Sequence, residues 1–378
     1  MMQVEQVVPI RTPEAAFEGD VFTVLDTEGK ANAKTDPKLE ADLVVKMYRA
    51  MIRTRLIDER LIKLQRQGRI GFHIGSLGEE ACIIASAAAM RDEDWIWPCY
   101  REFGALLWRG LSLQTYMNNM YGNADDPAKG RQMPDHYTAK HLRFGSVSSP
   151  IGTQMTQVVG LGRAAQLKGK DEVVSVYFGE GATSSNDFHT GMNFAGVMKA
   201  PVIFLCRNNG WAISVPSDKQ TASRTFADKA IAYGMPGVRC DGNDPLATYK
   251  VVRDAVERAS RGDGPTLVEL LTYRMGGHST SDDPRAYRAE DEVEGWRRMD
   301  PILRTRLYLE RLGAWDAAKQ DTLEAEVKAE LEASIKQAEA TPAPELPTLF
   351  EGVFEDKPWH LEEQEAELLA GPRAPDPH

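Results

Sequence analysis

The chain has 378 residues, of which 42% are hydrophobic, and a formal net charge of −11 at pH 7. This length and composition allow a large buried core and are typical of one big soluble domain with additions. The acidic balance and the lack of a basic stripe argue against nucleic acid as a partner, and no apolar stretch is long enough to span a membrane.

The N-terminus and the cysteines bear on the compartment and the redox state. The N-terminus has mixed charge without the pattern of a signal or transit peptide, which predicts a cytoplasmic protein. The four cysteines are widely spaced and form no Cys-x-x-Cys pair. They therefore predict neither a disulfide framework nor a zinc site.

The periodicity of the chain predicts its organisation. Residues 1–37 show little periodicity and predict an extended N-terminal arm, residues 38–345 predict one α/β domain, and residues 346–378 predict a Pro-rich tail. The predicted elements are a helix between Asp36 and Gly68, a helix at 78–90, a short strand reaching Tyr100 and Arg101, a helix at 153–168, strands at 173–178 and 202–206 with a helix between them, a helix at 245–261, a strand at 266–273 and a charged helical region at 301–340. Strands that alternate with helices predict a doubly wound parallel sheet.

Polar clusters follow the two strands of the central crossover. Gly179-Glu180-Gly181 follows the first strand, and Asn208-Asn209-Gly210 follows the second. Ligands of parallel sheets collect at the carboxyl ends of strands, and carboxylate and amide oxygens suit magnesium beside a phosphate. The alternative is that these residues only turn the chain.

Three cationic or titratable side chains could complete a phosphate site. Arg101 and Arg207 stand next to predicted strand ends, and His278 lies in a long irregular stretch. The donor fork of arginine matches a diphosphate, and a loop histidine suits acid–base or phosphate work. Taken singly, each arginine could instead form a surface ion pair, and His278 could be a solvated loop residue.

A partial dinucleotide fingerprint, Gly160-Leu-Gly-Arg-Ala-Ala165, lacks the context that it needs. No strand precedes it, and its apolar residues have helical spacing, so its glycines favour close helix packing. A nicotinamide-dependent dehydrogenase is therefore the weaker enzyme hypothesis.

Motifs along the chain resemble the alpha subunits of the thiamine-diphosphate-dependent 2-oxoacid dehydrogenases, branched-chain type. The motifs are YREFG at Tyr100, GRQMP at Gly130, SSPIGTQ at Ser148, CRNNGWAIS at Cys206 and GHSTSDD at Gly277. The third and the last favour the branched-chain over the pyruvate enzymes. The resemblance covers roughly residues 40–360 and implies the diphosphate module of the thiamine-diphosphate-binding fold with extra terminal helices.

The resemblance also implies a site, residue by residue. Magnesium would be bound by Glu180, Asn209 and the backbone carbonyl of Trp211. Thiamine diphosphate would be held by Tyr100, Arg101, Ser149, Ile151, Gly179, Gly181, Ala182, Arg207 and His278, of which His278 would be catalytic. A potassium site would comprise Ser148, Pro150, Thr153 and Gln154. Phe72 would form a wall of the acyl pocket.

The implied reaction is the oxidative decarboxylation of branched-chain 2-oxoacids with acyl transfer to a lipoyl group. In this family the activating glutamate lies on a separate beta chain. The resemblance therefore implies that the alpha chain is inactive alone, that two alpha and two beta chains assemble, and that they serve a lipoyl-bearing acyltransferase core. Two alternatives stay open: a pyruvate dehydrogenase alpha subunit, and a catalytically silent structural subunit of the same fold.

Overall fold

A parallel sheet forms the centre of the computed structural model, which describes residues 11–372. The strands are β1 (Trp95–Trp97), β2 (Val174–Gly179), β3 (Val202–Asn208), β4 (Trp211–Ala212), β5 (Val215–Pro216), β6 (Gly237–Asp241) and β7 (Thr266–Leu271). The sheet has five strands in the order β1-β2-β3-β7-β6, all parallel, and β4 and β5 form a separate antiparallel pair. The predicted α/β class with a parallel sheet is confirmed.

Helices connect the strands and extend the chain at both ends. They are α1 (Pro13–Ala16), α2 (Ala41–Arg66), α3 (Glu80–Ala89), α4 (Phe103–Trp108), α5 (Leu113–Tyr121), α6 (Thr153–Leu167), α7 (Asn186–Met198), α8 (Pro245–Ser260), α9 (Glu290–Arg297), α10 (Pro301–Arg311), α11 (Ala317–Ala340) and α12 (Trp359–Ala370). Within the described residues, no helix is both long and apolar enough to cross a membrane.

The central strands are apolar because both of their faces are covered. Every residue of β3 and β7 is buried. Successive side chains of a strand point to opposite faces, so Leu205 joins the core that includes Val252 of α8, whereas Phe204 joins the core that includes Met155 of α6. These two strands therefore lie in the interior of the molecule along their whole length.

The start of α7 follows from its sequence. Ser185 is the N-cap, and its hydroxyl accepts a hydrogen bond from the backbone N–H of Phe188 at 3.2 Å. Asp187 adds a negative charge to the first turn, where the helix dipole favours it. This cap fixes the turn that joins Glu180 to the helix.

Several predicted bounds differ from the structure. β1 ends at Trp97, so Tyr100 and Arg101 lie in the loop after it. The charged region at 301–340 is two helices, because Gly313 has a left-handed backbone and Asp316 caps a new helix. β6 was not predicted: it is an edge strand whose first three residues are not buried, so it lacks an apolar run.

The terminal segments contain structure that the sequence did not indicate. Phe22 forms a parallel bridge with Cys240 of β6, so part of the predicted arm lies against the sheet edge. The predicted tail includes α12. Residues 1–10 of the arm and 373–378 of the tail lie outside the described residues.

Candidate active site

A cleft of about 630 Å³ lies at the carboxyl ends of β1, β2, β3 and β7. Parallel sheets usually bind their ligands at this edge. The predicted site residues that line it are Phe72, Tyr100, Arg101, Ser149, Ile151, Gly179, Glu180, Gly181, Ala182, Arg207, Asn209, Trp211 and His278. Residues far apart in the sequence therefore share one cavity.

A buried carboxylate, Glu79, holds the cationic side of the cleft. It is the N-cap residue of α3 and is fully buried. Its Oε2 lies 2.5 Å from Nη1 of Arg207, and its Oε1 accepts a hydrogen bond from Nδ2 of Asn209 at 3.0 Å. Nε of Arg101 lies 3.8 Å from the same Oε1. Glu79 therefore fixes three predicted site residues at once.

Arg207 is a permanently charged group inside the protein. Its Nη2 also lies 2.7 Å from Oε1 of Glu102. Burial acts to lower the pKa of Arg207, but Glu102 and Glu79 outweigh it and raise the pKa well above its ordinary value. In the sheet, Arg207 is the register partner of Gly179, so the cation lies beside the first glycine of the turn.

Glu180 is the least satisfied carboxylate of the cleft. The residue is 1% exposed, and its Oε1 has no hydrogen-bond partner among the described residues. Burial raises the pKa of Glu180, which shows that its charge is costly without a cation. A buried carboxylate oxygen that faces a cavity without a partner fits a divalent metal ion.

The two positions on either side of Glu180 are glycines for different reasons. A Cβ at Gly179 would meet no atom within 4 Å, so this position leaves open space for a ligand. A Cβ at Gly181 would lie 3.0 Å from Oε1 of Gln220 and closer still to Cβ of Ala212. Gly181 is needed because the turn packs against β4.

Asn209 of the 208–211 loop lines the same cleft as Glu180. Oδ1 of Asn209 accepts a hydrogen bond from the backbone N–H of Trp211 at 3.1 Å, which fixes the turn. The described residues contain no group of three His, Cys, Asp or Glu side chains placed to hold a metal. A metal here would therefore need amide and carbonyl oxygens in addition to a carboxylate.

His278 is held with its Nδ1 as a hydrogen-bond acceptor. Nη2 of Arg101 lies 3.1 Å from that atom, and Nη1 of Arg274 lies 3.4 Å from it. An arginine has only donors, so Nδ1 must be unprotonated and a neutral ring carries its proton on Nε2. Burial and these two guanidinium groups lower the pKa of His278 to about 3.

We expect His278 to stay neutral, with the proton on Nε2, throughout pH 5–8 in the ligand-free protein. Nitrogen NMR of the imidazole should show this tautomer, and the signal is assigned by its loss in His278→Asn. A titration midpoint near the ordinary value of 6.5 would contradict the expectation. Binding of an anion beside the ring should raise the pKa, because the anion offsets the nearby cations.

The loop that carries His278 is fixed by a chain of hydrogen bonds. Oδ2 of Asp282 accepts from the backbone N–H of His278 at 2.6 Å and from the hydroxyl of Tyr287 at 2.5 Å. The hydroxyl of Tyr287 in turn accepts from Nη2 of Arg274 at 2.8 Å. The imidazole is therefore positioned by its own loop as well as by Arg101.

The residues of the predicted potassium site lie together around the N-terminus of α6. The hydroxyl of Thr153 donates to Oγ of Ser148, at 2.8 Å, or to the carbonyl oxygen of Pro150, at 3.0 Å. Gln154 is buried, and its Oε1 has no partner among the described residues. These groups do not line the cleft itself.

The wall that carries Phe72 rests on a buried ionic triad. Nε2 of His73 lies 3.0 Å from Oδ1 of Asp58, and its Nδ1 lies 3.0 Å from Oδ2 of Asp135. Burial acts to lower the pKa of His73, but Asp135 and Asp58 outweigh it and raise the pKa to about 10. His73 is therefore a buried cation directly next to Phe72.

Several residues of the site were missed by the sequence analysis. They are Glu79, Glu102, Arg274, Asp282 and His136, whose Nε2 lies 2.5 Å from Oγ of Ser149 in the cleft wall. Glu102 stands inside the YREFG motif, which was a usable signal. Glu79 had none, because nothing in its local pattern distinguishes it from a helix-starting glutamate.

Comparison with known proteins places the chain in a family. Residues 48–347 match the family model described as the dehydrogenase E1 component. The chain belongs to this family. The resemblance predicted from the motifs is confirmed.

Curated relatives match over nearly the whole chain. The 2-oxoisovalerate dehydrogenase subunit alpha 1, mitochondrial, of Arabidopsis thaliana is 43% identical over 349 residues, which are 92% of this chain and 74% of the relative. The corresponding subunit alpha of Caenorhabditis elegans is 42% identical over 353 residues, 93% of this chain and 82% of the relative. The subunit alpha of Homo sapiens is 41% identical over 350 residues, which are 92% of this chain and 79% of the relative. The relatives therefore carry the name of a branched-chain enzyme.

The prediction of a cytoplasmic location is wrong by this comparison, because these relatives are named as mitochondrial proteins. The prediction rested on the mixed charge of the N-terminus and on the lack of an apolar stretch long enough to span a membrane. These properties describe the solubility of a folded domain, and they do not record the compartment in which it works.

Proposed function

We propose that the chain is the alpha subunit of a thiamine-diphosphate-dependent 2-oxoisovalerate dehydrogenase. The enzyme carries out oxidative decarboxylation of branched-chain 2-oxoacids and transfers the acyl group to a lipoyl group. The observation that carries the proposal is one cleft that gathers two buried arginines, an unpartnered buried carboxylate and a histidine at the strand ends. The family and the names of the relatives favour this function over the pyruvate alternative.

The fold assigned here is the doubly wound diphosphate module of the thiamine-diphosphate-binding fold. Residues 1–37 act as an arm, residues 38–345 as the cofactor domain and residues 346–378 as a tail. Two α-helical layers over the central strands support this assignment.

Magnesium is held by Glu180, Asn209 and the backbone carbonyl of Trp211. The unpartnered Oε1 of Glu180 supports this set, since a hard dication would neutralise the buried charge. Arg101, Arg207 and His278 hold the diphosphate, to which the arginines offer several donors.

The remaining roles are those that the family resemblance implies, and they are supported by the position of most of these residues in the lining of the cleft. Tyr100, Gly179, Gly181 and Ala182 border the diphosphate, Ser149 and Ile151 contact the aminopyrimidine through their backbone, and Phe72 forms a wall of the acyl pocket. Ser148, Pro150, Thr153 and Gln154 supply oxygens to a potassium ion, for which the unpartnered Oε1 of Gln154 is the support.

When bound, thiamine diphosphate supplies the carbanion chemistry of decarboxylation. The chain positions the groups that bind the cofactor and fixes where the proton of His278 lies. Glu79 keeps Arg207 and Asn209 in place, and His278 presents the proton of Nε2 because its Nδ1 faces Arg101. The neutral ring of His278 can therefore donate a hydrogen bond from Nε2 as the acyl group leaves the site.

The chain works with a beta subunit that supplies the activating glutamate, in an assembly of two alpha and two beta chains, and with a lipoyl-bearing acyltransferase core. The rival hypothesis is a catalytically silent structural subunit that kept the fold. The cleft of about 630 Å³ opens to the surface, as a site completed by a second chain requires.

The test is coexpression with the candidate beta chain. Carbon dioxide release from 3-methyl-2-oxobutanoate and from pyruvate is measured with an artificial electron acceptor, with and without magnesium and thiamine diphosphate. We expect cofactor-dependent turnover that is faster with the branched acid. Faster turnover of pyruvate would overturn the substrate assignment, and a cofactor-loaded complex without turnover would favour the silent subunit.

A further inference from the structure

Arg11 lies against the 208–211 loop, almost 200 residues away in the sequence. Its Nη2 donates to Oδ1 of Asn208 at 3.3 Å, and its guanidinium carbon lies 5.6 Å from the ring centroid of Trp296. The same Oδ1 of Asn208 accepts from the backbone N–H of Gly210 at 3.3 Å. The arginine therefore completes the hydrogen-bonded turn that precedes Trp211.

The backbone of Arg11 is fixed as firmly as its side chain. Its N–H donates to Oε2 of Glu292 at 3.1 Å, and its carbonyl oxygen accepts from Nε1 of Trp296 at 2.7 Å. The other oxygen of Glu292 accepts from Nε1 of Trp211 at 2.9 Å. Arg11 and Trp211 are thus joined through one carboxylate.

Gly210 shows how closely the two segments approach. Its φ is +91°, a conformation that favours glycine, and a Cβ built there would collide with Nη1 of Arg11. Arg11 occupies the space that a side chain at position 210 would need. Gly210 is required both by its own backbone and by this contact.

Burial lowers the pKa of Arg11, and the nearby carboxylates offset this effect only in part. The carboxylates of Glu180, Glu269 and Glu292 act on the buried guanidinium. Glu292 contacts the backbone of Arg11, and Glu269 accepts from Nδ2 of Asn208 at 2.7 Å. No ion pair within 4.0 Å joins Arg11 to Glu180 in the described residues, so the main contact of Arg11 with the metal site is through the loop.

We propose that Arg11 is a positioning residue that fixes the 208–211 loop, and with it two of the magnesium ligands assigned above. The inference rests on that assignment. Residues 11–18 act as a strap over the loop, and Nη2 of Arg11 supplies a donor that holds the turn. Positioning groups of this kind typically change metal affinity by about 10- to 100-fold.

The test uses the coexpressed alpha–beta complex and manganese as the probe. Mn²⁺ affinity is measured by electron paramagnetic resonance at saturating thiamine diphosphate. Arg11→Met keeps the packing on Trp296 but removes the donors, and we expect its Mn²⁺ affinity to fall about 10- to 100-fold. Arg11→Lys keeps the charge but not the guanidinium donors, and its Mn²⁺ affinity should lie between those of Arg11→Met and the wild type. Hydrogen exchange of the metal-free complex should be faster in residues 208–211 of Arg11→Met.

The matched control is Arg298→Ala, which removes the exposed ion pair between Arg298 and Glu14 of the same strap and should leave Mn²⁺ affinity unchanged. Unchanged or tighter Mn²⁺ binding in Arg11→Met would overturn the positioning role and leave the proposed function standing. Wild-type-like affinity in Arg11→Lys beside weak affinity in Arg11→Met would overturn it in favour of a role for charge alone. Absence of Mn²⁺ binding in the wild type would overturn the metal site itself and this inference with it.

Discussion

Replacing His73 with glutamine is expected to lower the free energy of unfolding by about 3–5 kcal/mol, the usual cost of breaking a buried ion pair. The substitution leaves Asp58 and Asp135 facing each other in the interior without the cation between them. A glutamine amide can donate to them but carries no charge. Urea-induced unfolding of the full chain measures the effect.

The pH dependence of this effect has a definite sign. Because folding raises the pKa of His73 from 6.5 to about 10, its stabilisation is fully present below pH 6.5 and is lost as the pH rises through 10. The stability difference between wild type and His73→Gln should shrink over that interval.

Two further variants isolate the cause. Adding Asp58→Asn to His73→Gln should recover part of the loss, since it removes one uncompensated charge. The exposed His141, changed to glutamine, should alter stability by no more than about 0.5 kcal/mol. Equal stability of His73→Gln and His141→Gln would refute the buried cation.

Replacing Glu180 with glutamine should weaken metal binding, because it removes the only carboxylate of the proposed ligand set. The loss should exceed the factor of about 10 to 100 that is typical when a residue behind a ligand is changed. Thiamine diphosphate binding should then lose its dependence on magnesium. Titration of the alpha–beta complex with Mn²⁺ and with thiamine diphosphate measures both effects.

In the absence of metal, the same substitution should not destabilise the protein. Burial raises the pKa of Glu180, so its charge is unfavourable without a cation, and metal-free Glu180→Gln should melt at or above the temperature of metal-free wild type. Glu93→Gln, at an exposed carboxylate before β1, is the control for charge removal. Full retention of metal affinity in Glu180→Gln would exclude Glu180 as a ligand.

Features that depend on a short stretch of sequence could be predicted, whereas features that depend on distant residues could not. The polar clusters at the ends of β2 and β3 were predictable because apolar runs and glycine turns adjoin there, although β3 runs to Asn208, two residues past its predicted end. Parallel pairing then brings both clusters to one edge. Glu79 and Arg11 were not predictable, since their roles depend on partners more than 120 positions away, such as Arg207 for Glu79 at a separation of 128. β6 was missed because an edge strand needs no continuous apolar run.

The segment that includes Phe72, the proposed wall of the acyl pocket, and the segment that carries His278 are joined by hydrogen bonds. The backbone N–H of His73 donates to Oγ1 of Thr280 at 3.1 Å, and the backbone N–H of Thr280 donates to the carbonyl oxygen of His73 at 3.0 Å. The backbone N–H of Met275 donates to the carbonyl oxygen of Leu77 at 3.0 Å. A substitution that moves the segment at Phe72 is therefore expected to shift the loop of His278 as well. Substitutions at cleft positions outside these hydrogen bonds, such as Met133, should disturb the His278 loop less.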